Sequence, residues 1–350
     1  MYRKDKIMHM SEKSIKDKMK DQKNFIKYLL IGIALLVVGT VLSISFGAAK
    51  IEFLKAWEAV FSFNSRILEH QVIREIRLPR TIADIIVGIS FALAGAIMQG
   101  VTRNPLADSG LLGINSGAGL ALALCMALSP GLSYTSKIIF SFIGAGAGVL
   151  ITYIVSSSKV GSVSAERLIL AGASVSLLFL ALSQFIAITC NIGQQLTFWN
   201  VGGVAGVGFK ELILVGPWFL IAFIGAILIA PSITVLTLGD EIAKGLGQNI
   251  YIVKALSIII VLVLAALAVS LVGPVGFVGL IIPHMVRSFV GSDYRFIIPC
   301  CVVYGGAFMV VADLVGRIIN EPYETPLGII FAIIGVPFFL YIARKEGVEI

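Results

Sequence analysis

Long stretches of apolar residues, separated by short polar segments, fill the chain from residue 28 to residue 343. A helix that crosses a bilayer needs about 20 mostly apolar residues, because each residue adds only about 1.5 Å along the membrane normal. The pattern therefore predicts an all-α, polytopic membrane protein with about ten transmembrane helices. The predicted runs are 28–47, 81–101, 110–129, 136–156, 168–189, 212–230, 251–272, 274–290, 296–316 and 326–343.

The eighth run is the least regular of the ten. Pro283, His284 and Arg287 interrupt it, and Gly273-Pro274 stands at its start. Broken helices at membrane depth are tolerated where they face protein or a water-filled path. We therefore predict that Pro283 and His284 lie beside such a path. The simpler alternative for His284 is a packed, hydrogen-bonded histidine.

The first 27 residues differ from everything that follows. They contain nine lysines and arginines and four acids, and positive charge beside a span marks the cytoplasmic side. The segment 46–49 resembles a signal-peptide cleavage site, but the charged region before it is long for a signal peptide. We predict a basic cytoplasmic tail over 1–27 and a single membrane domain over 28–350. An even number of spans places both termini in the cytoplasm of a multi-pass protein of the cell membrane.

Composition narrows the class further. Of the 350 residues, 58% are hydrophobic and 13% are charged, whereas soluble domains carry about 25% charged residues. This excludes a soluble enzyme, a nucleic-acid-binding domain and a disordered chain. We interpret the net charge of +7 as an orientation signal and expect no nucleic-acid partner. The four cysteines form no CxxC pair, so no metal site is expected.

Catalytic and nucleotide-binding motifs are missing from the sequence. It contains no GxxxxGK[ST], no HExxH and no GxSxG. Ion-driven carriers usually place ionisable groups at mid-membrane, but the candidates here, Asp84 and Asp313, fall near the ends of predicted spans. We therefore predict that the chain is not an enzyme, binds no cofactor itself and takes its energy from another subunit.

Two polar turns on the predicted inner face carry the clearest local signals. In the first, Pro105 stops one helix and Asp108 can cap the next. In the second, two acids open a short helix that Gly247 can close. Well-capped surface turns are the simpler interpretation of both. The first turn contains Gln99, Arg103, Asn104, Pro105 and Asp108, and the second segment, 237–249, contains Gly239, Asp240, Glu241, Ala243 and Gly247.

Seven segments together resemble the FecCD-type permease subunits of ATP-driven importers for iron–siderophores, haem and cobalamin, including the cobalamin importer permease. The resemblance runs from about residue 28 to residue 343, although Asp84 stands where that family usually has an apolar residue. The segments are RLPR at 77–80, QGVTRNPLADSGLLGINSGA at 99–118, RLILAG at 167–172, FWNVG at 198–202, LGDEIAKGLG at 238–247, GPVGFVGLIIPHMVR at 273–287 with GSDYR at 291–295, and DLVGR at 313–317.

The resemblance implies a type II ABC importer architecture. Two permease subunits would enclose a central path, walled by the fifth, eighth and tenth runs, with a gate near Ser156, Ser157 and Ser158. Two cytoplasmic ATPase subunits, which hold ATP and Mg, would dock on 237–249. The RLPR arginines, Arg77 and Arg80, together with Arg317, would meet acidic residues of an extracytoplasmic substrate-binding protein. The alternatives for these arginines are membrane anchoring or, for Arg317, an internal pair with Asp313.

The function implied is a permease subunit that moves an iron chelate into the cytoplasm. A ferric siderophore is the commonest ligand of the family, and haem and cobalamin stay open. We expect a homodimer, with a related second permease as the alternative, and the binding protein can be periplasmic or lipid-anchored. The competing function is an ion-gradient-driven secondary transporter that works without ATPases and depends on Asp84 or Asp313.

Overall fold

The computed structural model describes residues 2–47, 49–129, 131–157, 165–321 and 323–345. Every regular element in these residues is helical. A π-helical turn, Val72–Arg77, leads directly into α4, and a 3₁₀ turn, Ser109–Leu112, precedes α5. The α-helices are α1 (Tyr2–Ser45), α2 (Phe53–Phe61), α3 (Leu68–Gln71), α4 (Leu78–Thr102), α5 (Ile114–Leu128), α6 (Tyr134–Ser157), α7 (Ala165–Thr189), α8 (Gly193–Val201), α9 (Phe209–Thr237), α10 (Asp240–Gly245), α11 (Ile250–Val272), α12 (Val278–Val290), α13 (Tyr294–Ile318) and α14 (Leu327–Lys345).

Seven helical segments within the described ranges are long and apolar enough to cross a membrane; they comprise all or part of α1, α4, α6, α7, α9, α11 and α13. The other three predicted runs fall on shorter apolar helices, α5, α12 and α14. Backbone breaks explain two of these. The 3₁₀ turn takes the first residues of the third run, and the segment from Gly273 to Phe277 is not helical, so α12 has only 13 residues. The predicted count of about ten spans is therefore not confirmed.

The predicted boundary at residue 27 is not a helix boundary. Helix α1 is 44 residues long and runs without a break from the charged segment into the apolar one. The charged segment is rich in lysine and methionine, which both have high helix propensity. The change in composition at this point therefore changes the surface of the helix and not its backbone.

Helix α4 lies at the centre of the bundle. In the most apolar stretch of 18 residues of the span that contains α4, 83% of the residues are buried. The corresponding share is 78% for α13, 61% for α11 and 33% for α7. Helix α4 packs on α13, α11, α12 and α9, whereas α7 packs mainly on α5 and α6. The molecule thus has a tightly packed core around α4, and α7 is one of the more exposed helices on the side away from it.

Glycines allow the central helices to touch backbone to backbone. A side-chain carbon placed on Gly95 of α4 would overlap the backbone of Gly279 on α12, and one on Gly88 would overlap that of Gly305 on α13. Small residues at helix crossings are the usual means of close packing in membranes. These crossings bring the polar side chains near the ends of α4 within reach of their neighbours.

Candidate functional site

The side of the bundle at α7 contains a cavity of about 780 Å³ between α5, α7 and α8. One stripe of α7, Ala173, Ser176, Leu180, Gln184 and Ile188, forms a wall of it, because residues three or four apart lie on one helix face. Pro274, in the non-helical segment before α12, completes the lining. Most of the α7 stripe is exposed in the single chain, so the cavity opens to one side of the bundle.

The polar groups of the cavity are amides and hydroxyls. Hydroxyl groups of α5 and α7 meet across its wall, where Ser116 Oγ donates to Ser176 Oγ at 3.2 Å. Ser183 and Thr197 donate to backbone carbonyls one turn earlier in their own helices. Such a wall offers hydrogen bonds without charge. Its polar side chains are Asn115, Ser116, Ser176, Ser183, Gln184, Thr197 and Asn200.

Only some of the runs that were predicted to wall the path line this cavity. The fifth run corresponds to α7 and does line the cavity, but the eighth contributes Pro274 alone and the tenth contributes nothing to this lining. Pro283 is buried inside α12, and His284 lies edge-on to Phe338 at 5.8 Å between ring centroids. His284 is therefore packed against an aromatic ring, as expected from the simpler interpretation of this residue as a packed histidine.

The predicted gate lies at the edge of what the structure describes. Ser156, the penultimate residue of α6, is buried and donates its hydroxyl to the carbonyl of Tyr153 at 2.8 Å. Ser157 is the last residue of α6, and Ser158 lies outside the described residues. A gating role for the three serines stays a prediction.

Arg80 and Arg317 form an internal ion-pair cluster at the N-terminal end of α4. Arg80 donates to Asp313 at 2.8 Å and to Glu324 at 2.6 Å. Arg317 places Nε 3.0 Å from Asp313 Oδ2, an ion pair on one helix face, and donates to Ser43 Oγ at 2.6 Å. Arg77 caps the end of α1 by donating to the carbonyls of Ile44, Ser45 and Ala49.

This cluster corrects the expectation of a basic surface. Arg77, Arg80 and Arg317 are only 3%, 7% and 4% exposed, because a buried guanidinium needs carboxylate or carbonyl partners and finds them inside the bundle. For Arg317 the internal pair with Asp313 is the alternative that the structure favours. In this structure the three guanidinium groups are buried and bound to internal partners, so they are not accessible to a partner protein.

Asp84 lies one turn along α4 from Arg80 and is completely buried. Neither of its carboxylate oxygens has a hydrogen-bond partner in the described structure. Asp313, the other acid of the secondary-transport alternative, is held by two arginines.

The second polar turn folds as predicted. Gly239, with φ of 118°, lets the chain leave α9 sharply, α10 then runs from Asp240 to Gly245, and Gly247, with φ of 82°, follows it. Asp240 accepts from Arg103 at 2.6 Å and from Lys254 at 2.8 Å, so one carboxylate joins the second end of α4 to α10 and α11. The hydrogen bond from Lys254, with the charges of Lys254, Arg103 and Lys244, lowers the pKa of Asp240 despite some desolvation.

One predicted docking residue points the wrong way for a partner. Ala243 is fully buried and belongs to the main apolar core, because the one turn of α10 must rest some residue on α9 and α11. The outward surface is formed instead by Glu241, Ile242, Lys244 and Leu246, which are all exposed. A bulky residue at 243 would therefore test the packing of α10 rather than its surface.

The first polar turn is tied to α12. Gln99 donates to the carbonyl of Gly279 at 3.0 Å and accepts from Arg287. Asp108 accepts from the Ser109 amide at 2.8 Å and so caps the 3₁₀ turn rather than α5; burial raises the pKa of this carboxyl, against that hydrogen bond. Asn104 likewise accepts from Leu106 N and fixes the turn after Arg103.

Comparison with known proteins identifies this arrangement. The model of the FecCD transport family matches residues 35–345, nearly the whole chain. The chain belongs to the FecCD family. No group of three His, Cys, Asp or Glu side chains that could hold a metal ion occurs in the part of this FecCD chain that the structure describes.

Relatives of this FecCD protein carry iron-transport names. The iron(3+)-hydroxamate import system permease protein FhuB of Bacillus subtilis is 44% identical over 321 residues, which cover 91% of this chain and 83% of that protein. The hemin transport system permease protein HmuU of Yersinia pestis is 33% identical over 325 residues, covering 91% and 95%. A solved structure described as an inward-facing metal-chelate type ABC transporter is 27% identical, with a TM-score of 0.79, and covers 91% of this chain and 99% of its own.

Sequence reasoning about this FecCD chain missed the cavity and the outward face of α10. Ser176, Gln184 and Thr197 are single polar residues in apolar runs, and only the meeting of α5, α7 and α8 gives them a shared role. The available signal was the spacing of Ser176, Leu180 and Gln184 at four-residue intervals, which places them on one helix face.

Proposed function

We propose that this chain is the membrane-spanning permease subunit of an ATP-driven importer for a ferric chelate. The observation that carries the proposal is the cavity between α5, α7 and α8, in a chain whose FecCD relatives are named for iron-chelate import. Its volume of about 780 Å³ falls within the range of roughly 300–1,000 Å³ typical of small-molecule sites.

The open side of the cavity suits a second permease subunit. Two copies facing each other across α5, α7 and α8 would enclose one central path between them. We propose a homodimer with about ten spans per subunit, in which the three shorter apolar helices also cross most of the membrane. The basic segment of α1 then lies in the cytoplasm, as the positive-inside rule expects.

The energy would come from two ATPase subunits, which bind ATP and Mg, at the α10 end of the bundle. Ile242 and Leu246 offer an apolar surface there, flanked by the charges of Glu241 and Lys244, and Asp240 connects it to α4 and α11. A binding protein would dock at the other end. A direct docking role of Arg77, Arg80 and Arg317 would require them to leave their internal partners, so we assign first contact to exposed cations nearby, such as Lys50 and Arg74.

Transport of radioactive iron as a ferric trihydroxamate tests the function. Cells that express this permease with its ATPase are expected to take up the iron in a manner that orthovanadate stops and a protonophore does not. Purification of the tagged permease should bring the ATPase with it. Uptake that survives orthovanadate but stops with the protonophore would instead support the secondary transporter, and Asp84→Asn should then abolish it.

Variants of α10 locate the ATPase surface. Ile242→Asp together with Leu246→Asp is expected to release the ATPase while the permease still reaches the membrane, because an apolar contact would be replaced by charge. Leu128→Asp is the matched control, since Leu128 is 80% exposed and ends α5, which starts at the α10 side. Retention of the ATPase by the double variant would contradict this assignment.

A further inference from the structure

The lining of the cavity carries information about the charge of its ligand. None of the described residues that line it is charged, and none is a histidine. The buried arginines do not compensate for this. Arg80 and Arg317 lie on α4 and α13, which contribute nothing to the lining, and both are already paired with Asp313. From the described lining residues, a ligand in the cavity would meet amides, hydroxyls and aliphatic groups.

A charged ligand would be poorly accommodated by such walls. Moving an ion from water into a site of low dielectric costs free energy unless an opposite charge compensates it. Hydrogen bonds from neutral groups, such as the side-chain amides of Gln184 and Asn200, offset only part of that cost. A second copy across the path would add the same neutral stripe, so dimer formation would not supply the missing charge.

Ferric chelates differ in net charge according to the groups that hold the iron. Three hydroxamate groups carry one negative charge each and neutralise Fe³⁺. Three catecholate groups carry two each and leave a charge of minus three, and citrate complexes retain free carboxylates. The oxygens and peptide-like amides of a neutral hydroxamate complex match the donors and acceptors that Asn115, Gln184 and Asn200 present.

We propose that this cavity selects ferric chelates of zero net charge, the tris-hydroxamate class, by excluding charged complexes of similar size. The proposal rests on the proposed transport function and adds a substrate class to it. The selecting element is the neutral stripe of α7 that contains Ser176 and Gln184, together with Thr197 and Asn200 on α8.

A pair of chelates that differ only in charge tests the selection. A linear trihydroxamate with a terminal amine is succinylated to give a ferric complex of charge minus one, or carries the corresponding succinamide, of nearly the same size, to give a neutral one. Uptake of each radioactive complex is divided by its occupancy of the binding protein, measured separately. The wild-type permease is expected to import the neutral complex about tenfold faster, because the pendant carboxylate must be desolvated in the cavity.

Lysine substitutions show whether the cavity is responsible. Gln184→Lys places a cation on the cavity wall and is expected to bring the ratio of the two rates close to one. Gln194→Lys is the matched control, because Gln194 is an exposed glutamine of α8 outside the lining, and it should leave the ratio unchanged. If Gln184→Lys does not reach the membrane, Thr197→Lys on α8 repeats the test.

The outcomes separate the two proposals. Equal normalised uptake of the neutral and anionic complexes by the wild type would overturn the charge selection and leave the transport function intact. An unchanged ratio in Gln184→Lys and Thr197→Lys variants that still transport would also overturn it. Failure of every ferric complex to enter, with the ATPase assembled, would contradict the transport function itself.

Discussion

The two ends of α4 use charge in opposite ways. At its start, Arg80, Asp313 and Arg317 lie inside the bundle with side chains at most 8% exposed. At its end, Arg103, Asp240 and Lys254 form ion pairs whose side chains are 33–42% exposed. The 25 residues of α4 separate the two groups by roughly 37 Å, at about 1.5 Å per residue.

The difference decides what each group can do. A buried charge that loses its partner has no water to replace it, so the internal cluster must stay intact for the bundle to hold together. An exposed charge can exchange its partner for water or for another protein at little cost. The first group is therefore a structural lock between α1, α4 and α13, and the second can exchange its ionic partners without loss of the fold.

Removing the central cation of the buried cluster should have the largest effect. Arg80→Ala leaves Asp313 with only one of its two arginine partners and takes from Glu324 the hydrogen bonds that it accepts from Arg80. We expect a loss of about 3–5 kcal/mol in the free energy of unfolding, measured by titrating the detergent-solubilised protein with sodium dodecyl sulfate. Glu324→Ala is the control, because Glu324 is 43% exposed, and it should cost far less. Equal stability of Arg80→Ala and wild type would show that the cluster is not a lock.

The middle of α4 should give the next largest effect. Gly95→Ala forces a methyl group into the backbone of Gly279, and overpacking of this kind typically costs about 1–3 kcal/mol. Gly216→Ala on α9 is the matched control, since a methyl group there meets nothing within 4 Å. The same unfolding titration compares the two variants, and a Gly95→Ala protein as stable as Gly216→Ala would contradict the close crossing.

Removing the exposed ion pairs of Asp240 should change the free energy of unfolding little, but it should strongly reduce the coupling of ATP hydrolysis to ligand transport. Asp240→Asn removes two exposed ion pairs, for which we expect less than about 1 kcal/mol. Ligand-stimulated ATP hydrolysis should fall more strongly, because α10 would lose its connection to Arg103 and Lys254. If Asp240→Asn instead lost much stability and kept normal ATP hydrolysis, the proposed difference between the two ends of α4 would be wrong.

The smallest expected effect is a pH dependence of the same variant. The pKa of Asp240 is lowered in the folded protein from the usual value of 3.8, chiefly by the hydrogen bond from Lys254. A lowered pKa stabilises the folded state above the unfolded-state value, and that contribution is lost as the pH falls through the folded-state value. The stability difference between wild type and Asp240→Asn should therefore be constant near neutral pH and shrink below about pH 4.

Local patterns in the sequence were good guides to the helices. All ten apolar runs fall on helices, and the glycines and acids around 239–247 placed α10 correctly, because capping depends on a few adjacent residues. The pair between Arg317 and Asp313 could be expected for the same reason, since four residues separate them on one helix face.

Long-range contacts explain what the sequence did not reveal. Arg80 and Asp313 are 233 residues apart, and nothing local marks Arg80 as an internal residue rather than a surface one. Ala243 pointed inward because α10 must rest on its neighbours, and the cavity required three helices to meet. Burial of a polar residue depends on which helix covers it, and a single sequence does not encode that locally.

The crossing of Gly95 and Gly279 has a mechanical consequence. With no side chain between them, the two backbones approach so closely that a Cβ atom on Gly95 would overlap the main chain of Gly279. Gln99, bonded both to the carbonyl of Gly279 and to Arg287, ties the pair together a second time. Because both contacts would have to break for α4 and α12 to separate, we expect the two helices to move together as one rigid unit.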